Sequence, residues 1–184
     1  MRIRPSFALW AACVALATFG LCVLPPPVGG AALAADPQNN AQRKGSGLPL
    51  PRFASLRADE ANVRAGPGTR YPIDWVFRRK GMPVEIVAEY ENYRKIRDWQ
   101  GASGWVHQSL LTGKRSFIIP SKPASLHKTP TKTAEVIAKL DPEVTGEIRS
   151  CSGDWCRVRV SGGGVSGWLE RTELRGVYKS EPIN

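Results

Sequence analysis

The sequence lacks the residue patterns on which most enzyme sites are built. Its acidic residues are scattered, no Gly-rich phosphate cradle is present, and no nucleophile stands beside a base. The only two histidines, His107 and His127, have no metal-ligand spacing around them. We therefore expect a protein that is not an enzyme and that holds neither a metal nor a cofactor.

Long helical patterns are also missing. No segment of ten or more residues repeats apolar side chains at the spacing of a helix. Met82, Val84, Ile86 and Ala88 instead occupy alternate positions, as in a strand with one buried face. Short segments of this kind are separated by turns rich in Gly and Pro. The pattern predicts an all-β fold.

The first residues have the layout of a secretory signal. Two arginines precede an uncharged apolar run over 7–24, and three prolines and a small-residue site follow it. This predicts a signal peptide over 1–34, cleaved between Ala34 and Ala35, and an exported protein. An uncleaved N-terminal anchor is the alternative, because the run is just long enough to span a bilayer. Residues 35–52 are polar and predict a flexible leader.

Long runs of like charge are absent, although the chain carries a net charge of +10. Such a charge suits anionic partners, namely wall polymers, lipid head groups or nucleic acid. The alternative is that moderate basicity only keeps a small domain soluble. Arg78-Arg79-Lys80 is a basic turn that either faces solvent or anchors the protein to an anionic envelope surface.

Cysteine is scarce, and beyond the signal only Cys151 and Cys156 remain, in Cys-Ser-Gly-Asp-Trp-Cys. In an oxidising compartment this pair predicts a disulfide. Free thiols are the alternative.

An internal repeat organises the rest of the chain. Gly104-Trp105-Val106 recurs as Gly167-Trp168-Leu169, 63 residues later, and Tyr93 matches Trp155 at an offset of 62. Similarity at a fixed period predicts two copies of one small unit.

The repeat also aligns the cysteines with a charged pair. At the 62-residue offset, Cys151 falls on Glu89 and Cys156 on Arg94. Each pair brackets four residues, so each is predicted to face its partner across a hairpin. We expect the Glu89–Arg94 pair to be a surface ion pair that contributes little stability.

A turn motif carries a family resemblance. Asn62-Val63-Arg64-Ala65-Gly66-Pro67-Gly68 and Tyr71-Pro72, with the later Gly104-Trp105-Val106, resemble the bacterial Src-homology-3-like (SH3-like) domain family. The glycines suit a turn, since they tolerate positive φ. The match is close over Leu56 to Gly113 and looser over Ile118 to Gly176. The chain looks most like the exported tandem form of Gram-negative bacteria.

The resemblance implies two tandem SH3-like β-barrels. We place them at 53–115 and 116–178, followed by a tail at 179–184. It also implies binding of peptidoglycan, a peptide or a partner protein. The expected location is the periplasm, with secretion as the second choice.

Strand alternation selects candidate binding residues. Trp155 and Arg157 are predicted to face outward, because Val158 should point to the core. In the first repeat Ile96 takes the core position, and the same alternation predicts an outer strip of Tyr93, Lys95, Arg97 and Trp99. Such aromatic and basic side chains suit sugar rings or carboxylates. The full candidate set is Tyr71, Trp75, Tyr93, Lys95, Arg97, Trp99, Trp155 and Arg157. The alternative is that this face packs against the other repeat. Trp105 and Trp168 are interpreted as structural.

We therefore predict a non-catalytic binding or scaffolding module of the cell envelope, which recognises peptidoglycan or a peptide. A periplasmic adaptor between proteins is the alternative, and a wall-acting enzyme is a remote one. Export argues against nucleic acid as the physiological partner. The first repeat is the preferred binding unit, because it has both the turn motif and the aromatic and basic strip. The oligomeric state is left open.

Overall fold

The structure is a computed structural model, and it describes residues 45–184. These residues belong to one compact unit. The predicted signal peptide and most of the predicted leader lie outside the described residues.

The first half of the described chain forms one antiparallel sheet of seven strands in the order β3-β2-β6-β5-β4-β1-β7. A short 3-10 helix at Gln108–Leu110 precedes the last strand. The strands are β1 Arg52–Leu56, β2 Ala61–Arg64, β3 Ile73–Phe77, β4 Pro83–Tyr90, β5 Tyr93–Arg97, β6 Ser103–His107 and β7 Leu111–Thr112.

The second half forms a six-stranded sheet in the order β10-β9-β13-β12-β11-β8, followed by a 3-10 helix at Arg171–Glu173. Its strands are β8 Ser116–Ile118, β9 Ala124–His127, β10 Val136–Leu140, β11 Thr145–Ser152, β12 Trp155–Val160 and β13 Ser166–Glu170. Each strand from β8 to β13 takes the place of one from β1 to β6. An isolated bridge between Ile118 and Arg175 takes the place of the β1–β7 pairing. The predicted all-β tandem repeat is confirmed.

Each sheet encloses its own core, because alternate residues of each strand point inward. In the first barrel, Val63, Ile96 and Val106 are fully buried. In the second, Leu126, Val158 and Leu169 occupy the matching positions. The two cores are separate clusters, so each repeat has a hydrophobic core of its own.

The repeated Gly-Trp pair begins with a glycine that the packing requires. A Cβ at Gly104 would lie 2.4 Å from a methyl group of Val63, and one at Gly167 would lie 2.8 Å from the carbonyl oxygen of His127. Real Cβ atoms do not approach other atoms so closely. These glycines let β6 and β13 cross close to β2 and β9.

The predicted hairpin pairings are confirmed. Glu89 faces Arg94 across β4 and β5, and Cys151 faces Cys156 across β11 and β12. The cysteines form a disulfide with Cα atoms 4.1 Å apart. The expectation of a surface ion pair is wrong, because the Glu89 and Arg94 side chains are only 5% and 7% exposed.

The end of the predicted flexible leader contacts the first barrel. Ser46 donates through its backbone N–H and its hydroxyl to the Glu89 carboxylate, and Arg52 forms an ion pair with the same group. A buried carboxylate needs such donors, and here the leader supplies part of them. The last residue of the predicted leader, Arg52, is also the first residue of β1.

Several contacts join the two barrels. The Phe53 and Tyr178 rings lie 4.8 Å apart, and the Tyr178 hydroxyl donates to the Glu85 carboxylate at 2.7 Å. Arg79 donates to the carbonyl oxygen of Glu143 at 2.8 Å. One edge of the first barrel therefore meets the second barrel and its C-terminal segment.

Candidate functional site

An aromatic and basic strip lies on the outer face of the first barrel. It consists of Tyr93 and Lys95 on β5, Trp105 and His107 on β6, and Arg64 on β2. Tyr93 faces His107, and Lys95 faces Trp105, across the β5–β6 pair. Trp105 also faces Arg64 on β2. The neighbours of these residues along β5 and β6, among them Ile96 and Val106, are fully buried, so alternation places the strip outside.

The rings of the strip are held by short-range contacts. The Tyr93 and His107 rings meet edge to face with centroids 5.3 Å apart. His107 Nδ1 also lies 2.7 Å from the Ser109 hydroxyl, at the start of the 3-10 helix. The strip residues are half-buried, so each keeps part of its surface open to solvent.

The turn after β2 brings Tyr71 to the end of this strip. Arg64 donates through Nη1 to the carbonyl oxygen of Tyr71 at 2.8 Å. The Arg70 guanidinium lies 5.2 Å from the centre of the Tyr71 ring, within the range of a cation–π contact. Tyr71 therefore adds a fourth aromatic ring beside the cations of the strip.

Gly66 in this turn is required by packing rather than by backbone angle. Neither Gly66 nor Gly68 has the positive φ that the sequence led us to expect. A Cβ at Gly66 would lie 2.4 Å from the Tyr71 ring. The glycine thus makes room for the tyrosine.

The second barrel repeats the strip with different side chains. Trp155 and Arg157 on β12 take the places of Tyr93 and Lys95, as the sequence predicted. Trp168 on β13 faces both Arg157 and His127. The His127 and Trp155 rings meet edge to face at 5.4 Å. Glu170 faces Trp155 and forms an ion pair with Lys132, whose Nζ lies 3.0 Å from Glu170 Oε1.

The two strips differ in charge. In the first barrel, Arg64 and Lys95 form no ion pair within residues 45–184. In the second, the acidic Glu170 stands where the first has His107. The first strip is therefore more suited to an anionic group.

Three of the predicted site residues lie outside the strips. Trp75 packs against the first core and meets the Phe77 ring edge to face at 6.2 Å. Arg97 donates to the Glu85 carboxylate at 2.9 and 2.6 Å. Trp99 lies in the turn after β5 and lines a cleft with Arg175 of the second barrel.

The prediction that Trp99 shares a strand face with Tyr93 is wrong. β5 ends at Arg97, and the chain turns back where Asp98 accepts a hydrogen bond from Gly101. The Asp98 carboxylate also accepts hydrogen bonds from the backbone N–H groups of Gln100 and Ala102. The strand therefore ends two residues before Trp99, and the alternation of strand faces does not extend to this residue. The Tyr93 and Lys95 placements agree with the prediction.

Sequence reasoning left three strip residues out. The sequence interprets Trp105 as structural, whereas the structure places its side chain on the outer face, and the predicted binding set contains neither His107 nor Arg64. The signal was present in the sequence, because the small Gly104 and the apolar Val106 flank Trp105, and both occupy buried positions of β6.

Within the described part of the chain, no group of three or more His, Cys, Asp or Glu side chains is placed to hold a metal ion. Over the same residues, no helix has the length and hydrophobicity needed to span a bilayer. What the strip offers is aromatic surface and positive charge.

Comparison with known families identifies the fold. Residues 57–113 and 121–176 each match the family model of the bacterial SH3 domain. The two matches cover more than half of the chain, which belongs to this family of binding domains as a tandem pair. The predicted family is confirmed, while the boundaries 53–115 and 116–178 stay a prediction.

Solved structures show a weaker likeness. NlpC2 from Trichomonas vaginalis is 14% identical, with 68% of this chain and 48% of that one covered and a TM-score of 0.31. NlpC1 from the same organism is also 14% identical, with 71% of this chain and 48% of that one covered and a TM-score of 0.32. An NlpC/P60 family protein from Bacillus cereus ATCC 10987 is 15% identical, with 70% of this chain and 57% of that one covered and a TM-score of 0.31.

The chain spans about half the length of these solved structures. At such TM-scores the likeness supports no conclusion about activity. No curated protein matches the sequence.

Proposed function

We propose that this protein is a non-catalytic binding module of the cell envelope whose first barrel recognises peptidoglycan. The strip of Arg64, Tyr93, Lys95, Trp105 and His107 is the observation that carries the proposal. Membership in a family of binding domains supports the class of function. The disulfide supports an exported protein, because such bonds persist in oxidising compartments. The periplasm is the compartment we propose.

The chemistry of the strip fits a glycan that carries peptides. Flat aromatic faces bind sugar rings or apolar peptide parts, and the polar rim of Tyr and Trp gives them direction. Lys95 and Arg64 stand on either side of Trp105 and supply cations for peptide carboxylates. A polymer could thus lie along the strip with its sugar on the rings and its acid groups on the cations.

The first barrel is the better binding unit on two observations. Tyr71 extends only the first strip, since the matching loop of the second barrel, from Lys128 to Glu135, contains no aromatic residue. The second strip also contains the Lys132–Glu170 ion pair, which offsets part of its positive charge. We propose that the second strip assists rather than initiates binding.

Sedimentation with purified peptidoglycan tests this function. We expect the protein to bind and to keep most of its binding as salt is raised, because stacking on rings is insensitive to screening. Tyr93→Ala and Lys95→Ala should each weaken retention by roughly 5- to 30-fold, as expected for losses of about 1–2 kcal/mol. The matched variants Trp155→Ala and Arg157→Ala should weaken it less.

Three outcomes would contradict the proposal. Equal losses in both barrels would remove the preference for the first strip. No retention of the folded protein, together with an envelope protein that co-purifies through the same strip, would establish the adaptor function instead. Release of soluble muropeptides by the purified protein would show that it is an enzyme.

A further inference from the structure

A second feature of the molecule is a basic cleft where the two barrels meet. It has a volume of about 390 Å³ and is lined by the end of β1, the Lys80-Gly81 turn, the linker from Thr112 to Ser116, and Gly146, Glu147 and Ser161 of the second barrel. We call it the junction cleft. It shares no residue with the strip of the first barrel.

Three cations line the junction cleft without an acidic partner. Arg57, Lys80 and Lys114 are exposed, and none of them forms an ion pair within residues 45–184. Glu147, an acidic residue that also lines the cleft, pairs with Arg149 at 3.0 Å. The cleft therefore carries a net positive charge that the described residues leave uncompensated.

The other two members of the Arg78-Arg79-Lys80 turn behave differently. Arg78 lies 3.7 Å from the Glu60 carboxylate, and Arg79 lies 3.7 Å from that of Glu143. The basic turn predicted from the sequence is thus divided, and only Lys80 contributes to the cleft.

Hydrogen bonds fix the backbone of the three segments that carry these cations. Gly81 donates to the carbonyl oxygen of Leu56 at 2.8 Å, which fixes Lys80 beside Arg57. Arg57 itself donates its backbone N–H to Leu110 at 2.8 Å. On the other wall, the Ser55 hydroxyl donates to the carbonyl oxygen of Lys114 at 2.6 Å.

We propose that the junction cleft binds a phosphate group. Three cations from three separate segments line the cleft, and a phosphate monoester offers three strong acceptor oxygens with close to two negative charges. The nearby Thr112 and Ser161 hydroxyls add neutral hydrogen-bonding groups. A concave site suits one compact head group better than it suits a long rod-like polyanion. The group could belong to a phosphorylated sugar or to a lipid head group.

Isothermal titration calorimetry with inorganic pyrophosphate tests the site on the full chain. We expect saturable one-to-one binding, and Lys80→Ala, Arg57→Ala and Lys114→Ala should each weaken it by roughly three- to tenfold. Lys139→Ala on β10 is the matched control, because Lys139 is also exposed and lies outside the cleft. It should leave the affinity unchanged.

Two results would overturn the proposal. Equal weakening by Lys139→Ala would show that pyrophosphate responds only to net charge, and an absence of saturable binding would show that no site exists. The three side chains are exposed, so we expect the variants to fold, and a thermal melt of each checks this.

Two further ligands distinguish the source of the phosphate. Glucose 1-phosphate in the calorimeter represents a phosphorylated sugar, and co-sedimentation with vesicles that contain phosphatidic acid, a phosphate monoester, represents a lipid head group. The ligand whose binding the Lys80→Ala variant loses identifies the source. If Lys80→Ala lowers the affinity for none of the three probes, the proposal is wrong.

Discussion

At the scale of single residues, Glu89 and Cys151 show how two repeats stabilise one position differently. Both stand at the end of a long strand and face a partner across a hairpin. In the second barrel the partner is bound covalently. In the first, the Glu89 carboxylate lies 3.1 Å from Arg94 Nε and 2.8 Å from the Ser46 hydroxyl, and it also pairs with Arg52. A buried ion pair of this kind depends on every donor being in place.

Glu89→Gln should destabilise the protein strongly near neutral pH. The substitution leaves two guanidinium groups without their counter-charge, and removal of one partner of a buried pair costs about 3–5 kcal/mol. Denaturant unfolding at pH 7 measures the loss. Glu135→Gln is the matched control, because the Lys128–Glu135 pair is exposed and should contribute about 0–1 kcal/mol.

The same residue gives a pH dependence with a defined sign. Burial raises the pKa of the Glu89 carboxyl, but hydrogen bonds from Arg52 and Ser46 outweigh it and hold the pKa below its usual value. Its contribution is therefore complete above the unfolded-state pKa of about 4.3 and is lost as pH falls through the lower folded-state value. The stability gap between wild type and Glu89→Gln should narrow in acid, and a constant gap would contradict this account.

At the scale of elements, strand alternation explains most of the surface. β5 and β12 each present an aromatic residue and then a cation to the outside, while Ile96 and Val158 point to the core. The rule fails where a strand ends, because a turn resets the direction of the side chains. Trp99 lies beyond that end, and its predicted face was therefore wrong.

The β11–β12 hairpin supports a prediction about the disulfide. Cys151 and Cys156 close a short loop, so the chain-entropy model gives a stabilisation of only about 2 kcal/mol. The double variant Cys151→Ala/Cys156→Ala should lower the free energy of unfolding by about that amount and should still fold. Unfolding of the wild type with and without reductant provides the comparison.

A reductant should destabilise the wild type by a similar amount and leave the double variant unaffected. If the double variant fails to fold at all, the disulfide has a larger role than closing the loop. If thiol counting under denaturing conditions finds two free thiols in the exported protein, the bond does not form in the cell envelope.

At the scale of the whole molecule, the two barrels are joined by few but specific contacts. Phe53 and Glu85 of the first barrel meet Tyr178, which follows the last strand of the second. Arg115 in the linker reaches both sides, since it donates to the Phe53 carbonyl oxygen at 3.3 Å and pairs with Glu181. This junction fixes the orientation of the two barrels.

Tyr178→Phe should remove a hydrogen bond to a carboxylate across the junction and cost about 1.5–3 kcal/mol near neutral pH. Burial, together with the bond to the Glu85 carboxylate, raises the pKa of the Tyr178 hydroxyl. Its stabilising effect is thus complete below the unfolded-state pKa of about 10 and is lost as pH rises above it. Unfolding measured from pH 8 to 11 should show a steeper decline for the wild type than for the variant.

Tyr90→Phe is the control for this measurement, because Tyr90 is 38% exposed and lies away from the junction contacts. Its stability curve should follow that of the wild type. Parallel curves for the wild type and Tyr178→Phe would mean that the hydroxyl does not carry the alkaline dependence.

The sequence alone determined the fold of this protein. Its repeat, its Gly-Trp pairs and its turn motif specify two barrels, because hydrophobic alternation and close backbone approach are properties of short segments. It also placed Tyr93, Lys95, Trp155 and Arg157 on outer faces, and it aligned the cysteines with Glu89 and Arg94.

Only the tertiary structure decided how those segments meet. Burial of Glu89 depends on Arg52 and Ser46, which the leader brings from more than thirty residues away in the chain. The junction cleft depends in the same way on Arg57, Lys80 and Lys114. Burial and net charge at one point in space are sums over distant segments, and no local pattern in a sequence contains them.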